Sequence, residues 1–376
     1  MAPVAADTRK LAPMDVPARL ERLRSLLSQA GCEALLVSNR SNVRYLTGFS
    51  GSAGVLMVRE DDAVLVTDRR YAAQAPRELA GTGAEARAVA LKASEQPQLL
   101  GQLATGVRKL GLEAEDVSWA QERRWSEGWA AGLELVATSQ LVEGLRARKD
   151  AGEVSRIAAA AAIADQALAS VGGIMTGHAT EAEVAIALDA EMRRLGAEEP
   201  AFATIVAAGP NGAEPHHRPQ SRAVEPGDLV VVDFGARVDG YCSDMTRTVV
   251  AGSGDLAKEL RRIVSIVLAS QDAGLAAVRD GVTGAEVDRA CREVVEAAGL
   301  GELFVHGTGH GVGLDIHEAP ALGAASQDIL RCGQVVTIEP GVYVPGLGGA
   351  RTEDTVLVTE AGCEVLTMTP KETHAL

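Results

Sequence analysis

The second half of the chain contains Leu229-Val-Val-Val-Asp233-Phe-Gly-Ala-Arg-Val-Asp239-Gly240-Tyr-Cys-Ser-Asp244-Met-Thr-Arg-Thr-Val-Val250. Two apolar, valine-rich runs flank Asp239-Gly240, a dipeptide typical of the two-residue turn of a β-hairpin. Such a turn pairs Asp233 with Thr246. Because side chains alternate between the two faces of a strand, Asp244 then shares the face of Asp233. The segment therefore predicts a hairpin with two carboxylates on one face.

A cation explains this pair of carboxylates better than solvent does. Like charges repel, and the apolar run at 230–232 indicates burial, where an unpaired carboxylate is costly. Aspartate is also uncommon inside strands. Two solvated strand residues remain the alternative interpretation of this segment taken alone.

A second pair of acids follows the same plan. Val335-Val-Thr-Ile-Glu339 and Gly349-Ala-Arg351-Thr-Glu353-Asp354 belong to two strand-like runs around a turn rich in proline and glycine. Glu353 and Asp354 are adjacent, so a shift of one residue in strand register exchanges the inward-facing acid. Strand periodicity leaves this choice open.

A repeated sequence motif precedes each of the two pairs of acids. Thr180-Glu-Ala-Glu183 recurs as Thr283-Gly-Ala-Glu286, and each is a Thr-x-x-Glu capping box that predicts an amphipathic helix of about four turns. Each helix precedes strands that carry one of the acid pairs. We therefore predict a duplicated α+β unit whose two halves bring four carboxylates to one cleft.

Histidines are concentrated in the same part of the chain. Five of the seven lie in His216-His217 and in His306-Gly-Thr-Gly-His310-Gly-Val-Gly-Leu-Asp-Ile-His317. The glycines argue against a regular helix there and permit close approach of backbone to a ligand. A lone histidine is more often a packing or surface residue, but four clustered acids favour a ligand.

Four carboxylates and one imidazole suit two hard or borderline divalent cations, whose charges the carboxylates balance. Mn²⁺ is the expected metal, with Co²⁺ or Zn²⁺ as alternatives. Two such cations lower the pKa of a water molecule between them, which indicates metal-assisted hydrolysis. The remaining histidines and Arg351 are then expected to orient substrate and stabilise an oxyanion.

The first 145 residues or so have a different pattern, typical of an α/β domain. An amphipathic helix with Leu20, Leu23, Leu26 and Leu27 precedes short apolar strands, and helical stretches are predicted between later strands. The predicted strands cover residues 34–37, 55–58 and 63–66, and the predicted helices cover 71–79 and 97–109. A long helix begins after Lys149, so we place the domains at 1–147 and 148–376.

Composition excludes several classes of partner and compartment. Acidic residues outnumber basic ones by 51 to 36, and the formal charge of −15 argues against nucleic acid or anionic lipid as the main partner. Five scattered cysteines support neither a disulfide framework nor a zinc ribbon. Charged residues at 7–15 argue against a signal sequence, and no run approaches the roughly 18 apolar residues that span a bilayer. We expect a cytoplasmic protein.

These motifs together resemble the pita-bread metallopeptidases, the group that includes aminopeptidase P, prolidase and methionine aminopeptidase. One departure is Thr352, where relatives commonly carry an aliphatic residue. The N-terminal domain is similar to that of creatinase and the proline-specific members through the segment that begins at Asn42. The matching segments are Asn42-Val-Arg-Tyr-Leu-Thr-Gly-Phe, Gly209-Pro-Asn-Gly-Ala-Glu-Pro-His216, Val232-Asp233-Phe-Gly, Ser243-Asp244-Met-Thr-Arg-Thr, His306-Gly-Thr-Gly-His310, Thr337-Ile-Glu339-Pro-Gly and Arg351-Thr-Glu353-Asp-Thr.

The resemblance implies a role for each site residue. Asp233 would bind one cation, Asp244 and Glu353 would bridge both, and His310 with Glu339 would complete the second site. Glu339 would also act as a proton shuttle. His216 and His317 would hold the scissile carbonyl and the tetrahedral intermediate, His306 would line the proline pocket, and Arg351 would support the site or the substrate. His217 has no counterpart in the pattern.

The resemblance further implies an α/β N-terminal domain, an α+β pita-bread catalytic domain with pseudo-twofold duplication, and a homodimer. The expected function is hydrolysis of Xaa-Pro bonds at the N-terminus of short proline-containing peptides. Such bonds need a dedicated pocket, because proline lacks the backbone N–H and fixes its φ. The first alternative is an Xaa-Pro dipeptidase, or prolidase. A non-catalytic scaffold or binding protein on the same fold is a further alternative.

Overall fold

The computed structural model describes residues 11–176, 178–252 and 256–371. Two compact units divide the chain: Met14–Arg146 forms one, and Ala147–Leu376 with Met1–Pro13 forms the other. Residues 7–10, on which the argument against a signal sequence partly rests, lie outside the described residues.

The first unit is built on a six-stranded mixed sheet with helices in the connections. Its strands are β1 Ala34–Val37, β2 Gly54–Arg59, β3 Ala63–Asp68, β4 Arg87–Leu91, β5 Lys109–Glu113 and β6 Glu134–Thr138. Its helices are α1 Pro17–Leu27, α2 Arg40–Thr47, α3 Gln74–Thr82, α4 Gln96–Leu103, α5 Trp119–Ser126 and α6 Leu141–Arg146. The strand order is β4-β3-β2-β1-β5-β6, with β2 antiparallel to both of its neighbours and the other pairs parallel.

The sequence pattern of this unit is confirmed at all three predicted strands, and α1 buries Leu20, Leu23 and Leu27 as expected. The helix predicted over 97–109 is wrong at its end. It stops at Leu103, Gly106 adopts a left-handed φ of 87°, and Lys109 already belongs to β5. A glycine in that conformation ends the helix and turns the chain into the strand.

The second unit combines four helices with several antiparallel sheets. Its helices are α7 Ala151–Val171, α8 Glu181–Arg194, α9 Lys258–Ala277 and α10 Gly284–Ala297. Its strands are β7 Ile205–Ala208, β8 Leu229–Phe234, β9 Arg237–Val238, β10 Tyr241–Cys242, β11 Met245–Val250, β12 Gly309–Gly311, β13 Glu318–Leu322, β14 Val335–Ile338, β15 Gly341–Val344, β16 Gly348–Arg351, β17 Asp354–Val358 and β18 Cys363–Val365. The two larger sheets have the orders β11-β8-β7 and β13-β12-β14-β17-β18.

The predicted duplication is confirmed in this unit. Both capping boxes are formed, and α8 and α10 each have 14 residues. Each helix precedes an antiparallel pair, β8 with β11 and β14 with β17. The two capping threonines even form equivalent isolated bridges, Thr180 with Ala223 and Thr283 with Ile329.

The hairpin register is also as predicted, with Asp233 opposite Thr246. The two sheets meet at this point, because the backbone N–H of Glu353 donates to the carbonyl of Thr246 over 3.1 Å. Each half has its own hydrophobic core between helices and strands. The first core includes Ile163, Leu188, Val230 and Phe234, and the second includes Ile263, Val287, Val336 and Val356.

Helix α7 is long and largely apolar. Its continuation to Met175 gives a stretch of 25 residues, and an 18-residue window within it has a mean hydropathy of 1.5, so the stretch is long and apolar enough by these measures to cross a membrane. Asp165 and Gln166 interrupt the apolar residues of this stretch, so it is not an unbroken apolar run. Half of its most apolar window is buried inside the unit, and Ile157, Ala161 and Leu168 face the core. That burial is typical of the core helix of a folded domain.

Candidate metal centre

The structure brings all nine predicted site residues to one cavity of about 270 Å³. Apolar side chains of Phe202, Ile205 and Ile316 form part of its wall. The nine residues are Asp233, Asp244, His310, Glu339 and Glu353, expected as metal ligands, and His216, His306, His317 and Arg351, expected to contact or support substrate.

The four acids of the cavity lie at or next to the ends of strands. Asp233 lies near the end of β8, Asp244 directly precedes β11, Glu339 directly follows β14, and Glu353 directly precedes β17. The duplicated strand pairs thus contribute two acids each at the place where the sheets meet. Strand β12 brings the imidazole of His310 to the same place.

Close backbone approach is needed for that last placement. A Cβ atom on Gly309 would lie 2.0 Å from the carbonyl oxygen of Thr337, so only glycine allows β12 this near to β14. The Thr337 hydroxyl accepts a hydrogen bond from the backbone N–H of His310 and donates one to Glu339 Oε1, both over 3.1 Å. Thr337 therefore links these two expected ligands.

Ligand atoms of Asp244, His310 and Glu353 all lie within 4.8 Å of one another, a spacing that can hold a metal ion. His310 Nε2 is 3.6 Å from Asp244 Oδ2 and 3.3 Å from Glu339 Oε1. Carboxylate oxygens and an imidazole nitrogen are ligands suited to Mn²⁺, Co²⁺ or Zn²⁺.

Two unpartnered oxygens support the fit of a cation here. Asp233 Oδ2 accepts a hydrogen bond from Arg351 over 2.6 Å, and Glu353 Oε2 accepts one from the Thr246 hydroxyl over 2.8 Å. The other oxygens, Asp233 Oδ1 and Glu353 Oε1, are buried and have no hydrogen-bond partner. An unpaired buried carboxylate oxygen is costly, and a cation would satisfy both.

The electrostatics of the cluster indicate the same need for positive charge. Burial raises the pKa of Asp244 and of Glu353 well above the ordinary range, and neighbouring carboxylates raise both further. Burial also acts to raise the pKa of Glu339, but its hydrogen bond and charge interaction with His310 lower it to about 2. The same interaction raises the pKa of His310, because the hydrogen bond and charge of Glu339 outweigh the lowering effect of burial.

The two adjacent acids of the last strand point to different surroundings. Glu353 lines the cavity, whereas Asp354 is buried and accepts hydrogen bonds from Arg247 over 2.8 Å and from Gln271 over 3.0 Å. The Lys371 ammonium also lies 2.6 Å from Asp354. The strand register that sequence periodicity left open thus directs Glu353 to the cavity.

Tyr343 and Thr246 are site residues that the sequence reasoning missed. The Tyr343 hydroxyl lies 2.8 Å from His306 Nε2 and accepts a hydrogen bond from Arg351 over 2.7 Å. Arg351 Nε also donates to the Thr246 hydroxyl over 3.1 Å. The available signal for both was position, since Thr246 is the predicted partner of Asp233 and Tyr343 lies in the run after Glu339.

The histidines differ in exposure. His216 and His317 are exposed at the cavity, while His306 is half-buried. The His317 ring packs edge-on against the His310 ring, with 4.3 Å between centroids. Burial lowers the pKa of His306 and of His317, which favours their neutral forms.

His217, for which the sequence suggested no role, is buried beneath its exposed neighbour. Its Nε2 donates to Glu181 Oε2 over 2.8 Å, and both side chains are almost completely buried. Only the tertiary structure shows this pair, because the two residues are 36 positions apart.

Comparison with known proteins agrees with this geometry. Residues 155–360 match metallopeptidase family M24, and residues 19–148 match the creatinase/prolidase N-terminal domain. The chain therefore belongs to metallopeptidase family M24, with a creatinase-type N-terminal domain before the pita-bread domain. The resemblance drawn from the motifs is confirmed, and so is the expectation of an enzyme.

Several relatives match along nearly the whole chain. The Xaa-Pro dipeptidase of Pyrococcus furiosus is 35% identical over 355 residues, which cover 94% of this chain and 99% of that protein. The structure of an Xaa-Pro dipeptidase from Bacillus anthracis has a TM-score of 0.91 and 38% identity, covering 96% of this chain and 100% of that one. An X-Pro aminopeptidase from Thermotoga maritima has a TM-score of 0.85 and 36% identity, covering 93% and 99%.

Proposed function

We propose that this protein is a dinuclear metallopeptidase that hydrolyses Xaa-Pro bonds at the N-terminus of short peptides. The observation that carries the proposal is the convergence of four acids and His310, with two buried carboxylate oxygens lacking any partner. Asp233, Asp244, His310, Glu339 and Glu353 would hold two divalent cations, Mn²⁺ being the expected metal and Co²⁺ or Zn²⁺ the alternatives.

The chemistry divides between the metals and the side chains. The bound cations would supply positive charge and an activated water for peptide hydrolysis. Glu339, whose carboxylate lies inside the cavity beside His310, would accept and return a proton. His216 and His317 at the cavity would donate hydrogen bonds to the scissile carbonyl and its oxyanion, and His306 would border the proline ring.

The charges of the cavity favour an aminopeptidase over a dipeptidase. A dipeptide carries a terminal carboxylate next to the scissile bond, which calls for a cationic side chain. Among the described residues that line the cavity, Arg351 is the one arginine or lysine, and it is paired with Asp233. Longer peptides place their carboxylate farther from the bond and do not need that cation.

An Xaa-Pro dipeptidase is the second candidate. Its support is similarity: the dipeptidase from Bacillus anthracis covers 96% of this chain with a TM-score of 0.91. The aminopeptidase from Thermotoga maritima matches almost as well, so similarity favours neither activity strongly.

One assay tests both candidates. Purified protein loaded with Mn²⁺, and separately with Co²⁺, is given an Xaa-Pro dipeptide and the matching Xaa-Pro-Yaa tripeptide, with metal content measured on the same sample. We expect two metals per chain and faster cleavage of the tripeptide. Faster cleavage of the dipeptide supports the second candidate. If the protein binds two metals per chain but cleaves neither peptide, both candidate functions are contradicted.

Metal binding can also be followed without substrate. A ligand that binds only the folded state at 100 times its Kd adds about 2.7 kcal/mol to the free energy of unfolding. We expect Mn²⁺ to raise the melting temperature and a chelator to reverse the rise. A protein that retains less than one metal per chain and shows no such rise would fit the non-catalytic scaffold.

The proposal includes a homodimer in the cytoplasm. Five free cysteines support a reducing compartment. The net charge of −15 favours uncharged or cationic peptides over nucleic acid as partners.

A further inference from the structure

His216 lies in a tight turn that is held by hydrogen bonds from two sides. The turn covers residues 214–217 and is closed by the backbone N–H of His217, which donates to the carbonyl of Glu214 over 3.2 Å. His216 itself is exposed, so few packing contacts hold its ring. Its position at the cavity therefore depends on how the turn is held.

A buried carboxylate holds this turn from below. Glu181 is fully buried at the start of α8, and its Oε2 accepts hydrogen bonds from His217 Nε2 over 2.8 Å and from the backbone N–H of Gln220 over 3.1 Å. Its Oε1 accepts from the backbone N–H of Ala208 over 2.8 Å and from the Asn211 amide over 2.9 Å. One side chain thus joins the segment before His216 to the segment after it.

The other side of the turn is connected to the candidate metal centre. Arg351 Nη1 donates to the carbonyl of Pro215 over 3.3 Å, while Arg351 Nη2 pairs with Asp233. The turn is therefore fixed between Arg351 and the buried His217–Glu181 pair. A fully buried carboxylate that accepts four hydrogen bonds rigidifies the segments that donate to it.

The second half of the unit holds its own histidine loop in a similar way. Asp288, buried on α10, accepts hydrogen bonds from Thr308 through its backbone N–H over 3.1 Å and its hydroxyl over 2.9 Å. Arg292 pairs with Asp288 over 2.6 Å and donates to the carbonyl of His306 over 2.5 Å. Each half thus uses a buried acid of its capping-box helix to hold the loop that carries cavity histidines.

We propose that His217 and Glu181 are positioning residues that set the place of the His216 imidazole at the cavity. The proposal rests on the proposed function, in which His216 contacts the substrate. Neither His217 nor Glu181 is among the residues that line the cavity, so both act through the turn. Loss of the pair should leave metal binding intact and misplace a group that contacts the reacting carbonyl.

The test uses the full chain with Mn²⁺ for activity and metal titration, and without metal for NMR. His217→Leu removes the hydrogen bond to Glu181, and His217→Gln can restore it because a glutamine amide reaches the place of Nε2. Glu181→Gln replaces one acceptor oxygen by a donor NH2, so it loses either the hydrogen bonds from His217 and Gln220 or those from Ala208 and Asn211, and each loss loosens the turn. Glu214→Gln is the matched control, because the exposed Glu214 carboxylate lies 3.4 Å from the other ring nitrogen of His217.

We expect His217→Leu and Glu181→Gln to lower kcat/KM for an Xaa-Pro tripeptide by between about ten- and a hundred-fold. The Mn²⁺ affinity should stay within about two-fold of wild type, and His217→Gln and Glu214→Gln should keep most of the activity. Adding His217→Leu to His216→Ala should cause little further loss, because the pair acts through His216. If His217→Leu lowers kcat/KM by the same factor in the wild-type and His216→Ala proteins, the proposal is overturned.

A second readout is independent of activity. In protein labelled at histidine Cε1, the resonance of His216, assigned by its loss in His216→Ala, should shift or broaden in His217→Leu and Glu181→Gln but not in Glu214→Gln. An unchanged His216 resonance overturns the positioning role even if activity falls. A shifted resonance in a protein whose wild type cleaves no Xaa-Pro peptide supports the positioning and contradicts the proposed function instead.

Discussion

Arg351 and Asp233 form a buried ion pair that joins the two halves of the second unit at the candidate metal centre. The two residues are 118 positions apart, and Arg351 Nη2 lies 2.6 Å from Asp233 Oδ2. This pair occupies one oxygen of an expected ligand and leaves the other, Oδ1, buried without a hydrogen-bond partner. The halves are thereby connected through the side chains of the site itself.

Replacing Arg351 by methionine should destabilise the metal-free protein strongly. It leaves Asp233 and the Tyr343 hydroxyl without their shared donor, and breaking a buried pair in this way typically costs about 3–5 kcal/mol. Urea denaturation measures the change. The control is Arg289→Met, which removes a surface pair with Glu293 and should cost less than about 1 kcal/mol. Equal denaturation midpoints for the two variants would contradict the structural role of Arg351.

Replacing Asp244 by asparagine should change stability and metal affinity in opposite directions. Asp244 lies among other buried carboxylates, so removal of its charge should raise the free energy of unfolding of the metal-free protein by about 1–2 kcal/mol. The same change removes an expected ligand and should weaken Mn²⁺ binding by more than about a hundred-fold. Calorimetric titration and denaturation of one preparation measure both.

Asp239→Asn is the matched control for that experiment. Asp239 lies at the turn between β9 and β10, outside the cavity, and pairs with Arg156 over 2.7 Å. The Mn²⁺ affinity of the Asp239→Asn protein should equal that of wild type. An Asp244→Asn protein that still binds two metals with wild-type affinity would refute the assignment of Asp244 as a ligand.

Substitutions of the neighbouring residues Glu353 and Asp354 should affect different properties, metal binding in the first case and stability in the second. Glu353→Gln should weaken Mn²⁺ binding and leave the fold intact, because Glu353 faces the cavity. Asp354→Asn should keep the metal stoichiometry and lose about 3 kcal/mol of stability, because it unpairs the buried Arg247 guanidinium. Metal analysis and urea denaturation of both variants separate the two effects. The reverse assignment of effects would show that the strand register at the site is wrong.

Replacing His317 by alanine should lower turnover without loss of metal. His317 is exposed at the cavity and contacts the His310 ring, but no carboxylate of the cluster is paired with it among the described contacts. Loss of one oxyanion donor typically costs about 10²–10³ in kcat. Steady-state kinetics on an Xaa-Pro tripeptide and metal analysis test the prediction, with the exposed His178→Asn as control. Loss of bound metal in His317→Ala would place His317 among the ligands instead.

Local sequence signals predicted much of the architecture because their causes are local. The Asp239-Gly240 turn sets the pairing of Asp233 with Thr246, and the Thr-x-x-Glu boxes open α8 and α10. Turn geometry and helix capping involve residues only a few positions apart, so they can be inferred without knowledge of the rest of the chain. The end of α4 was misplaced because helix ends depend on single residues such as Gly106.

Side-chain partners across the fold could not be inferred in this way. The amino-acid pattern alone sufficed for two α+β halves and for the set of acids and histidines that reach one cavity. Strand periodicity could not choose between Glu353 and Asp354, and there the family motif indicated Glu353. Folding alone paired Arg247 with Asp354 across 107 positions and joined His217 to Glu181. Periodicity describes which face of an element a residue occupies, whereas these contacts depend on which elements pack together and in what register. That packing is set by burial summed over the whole unit.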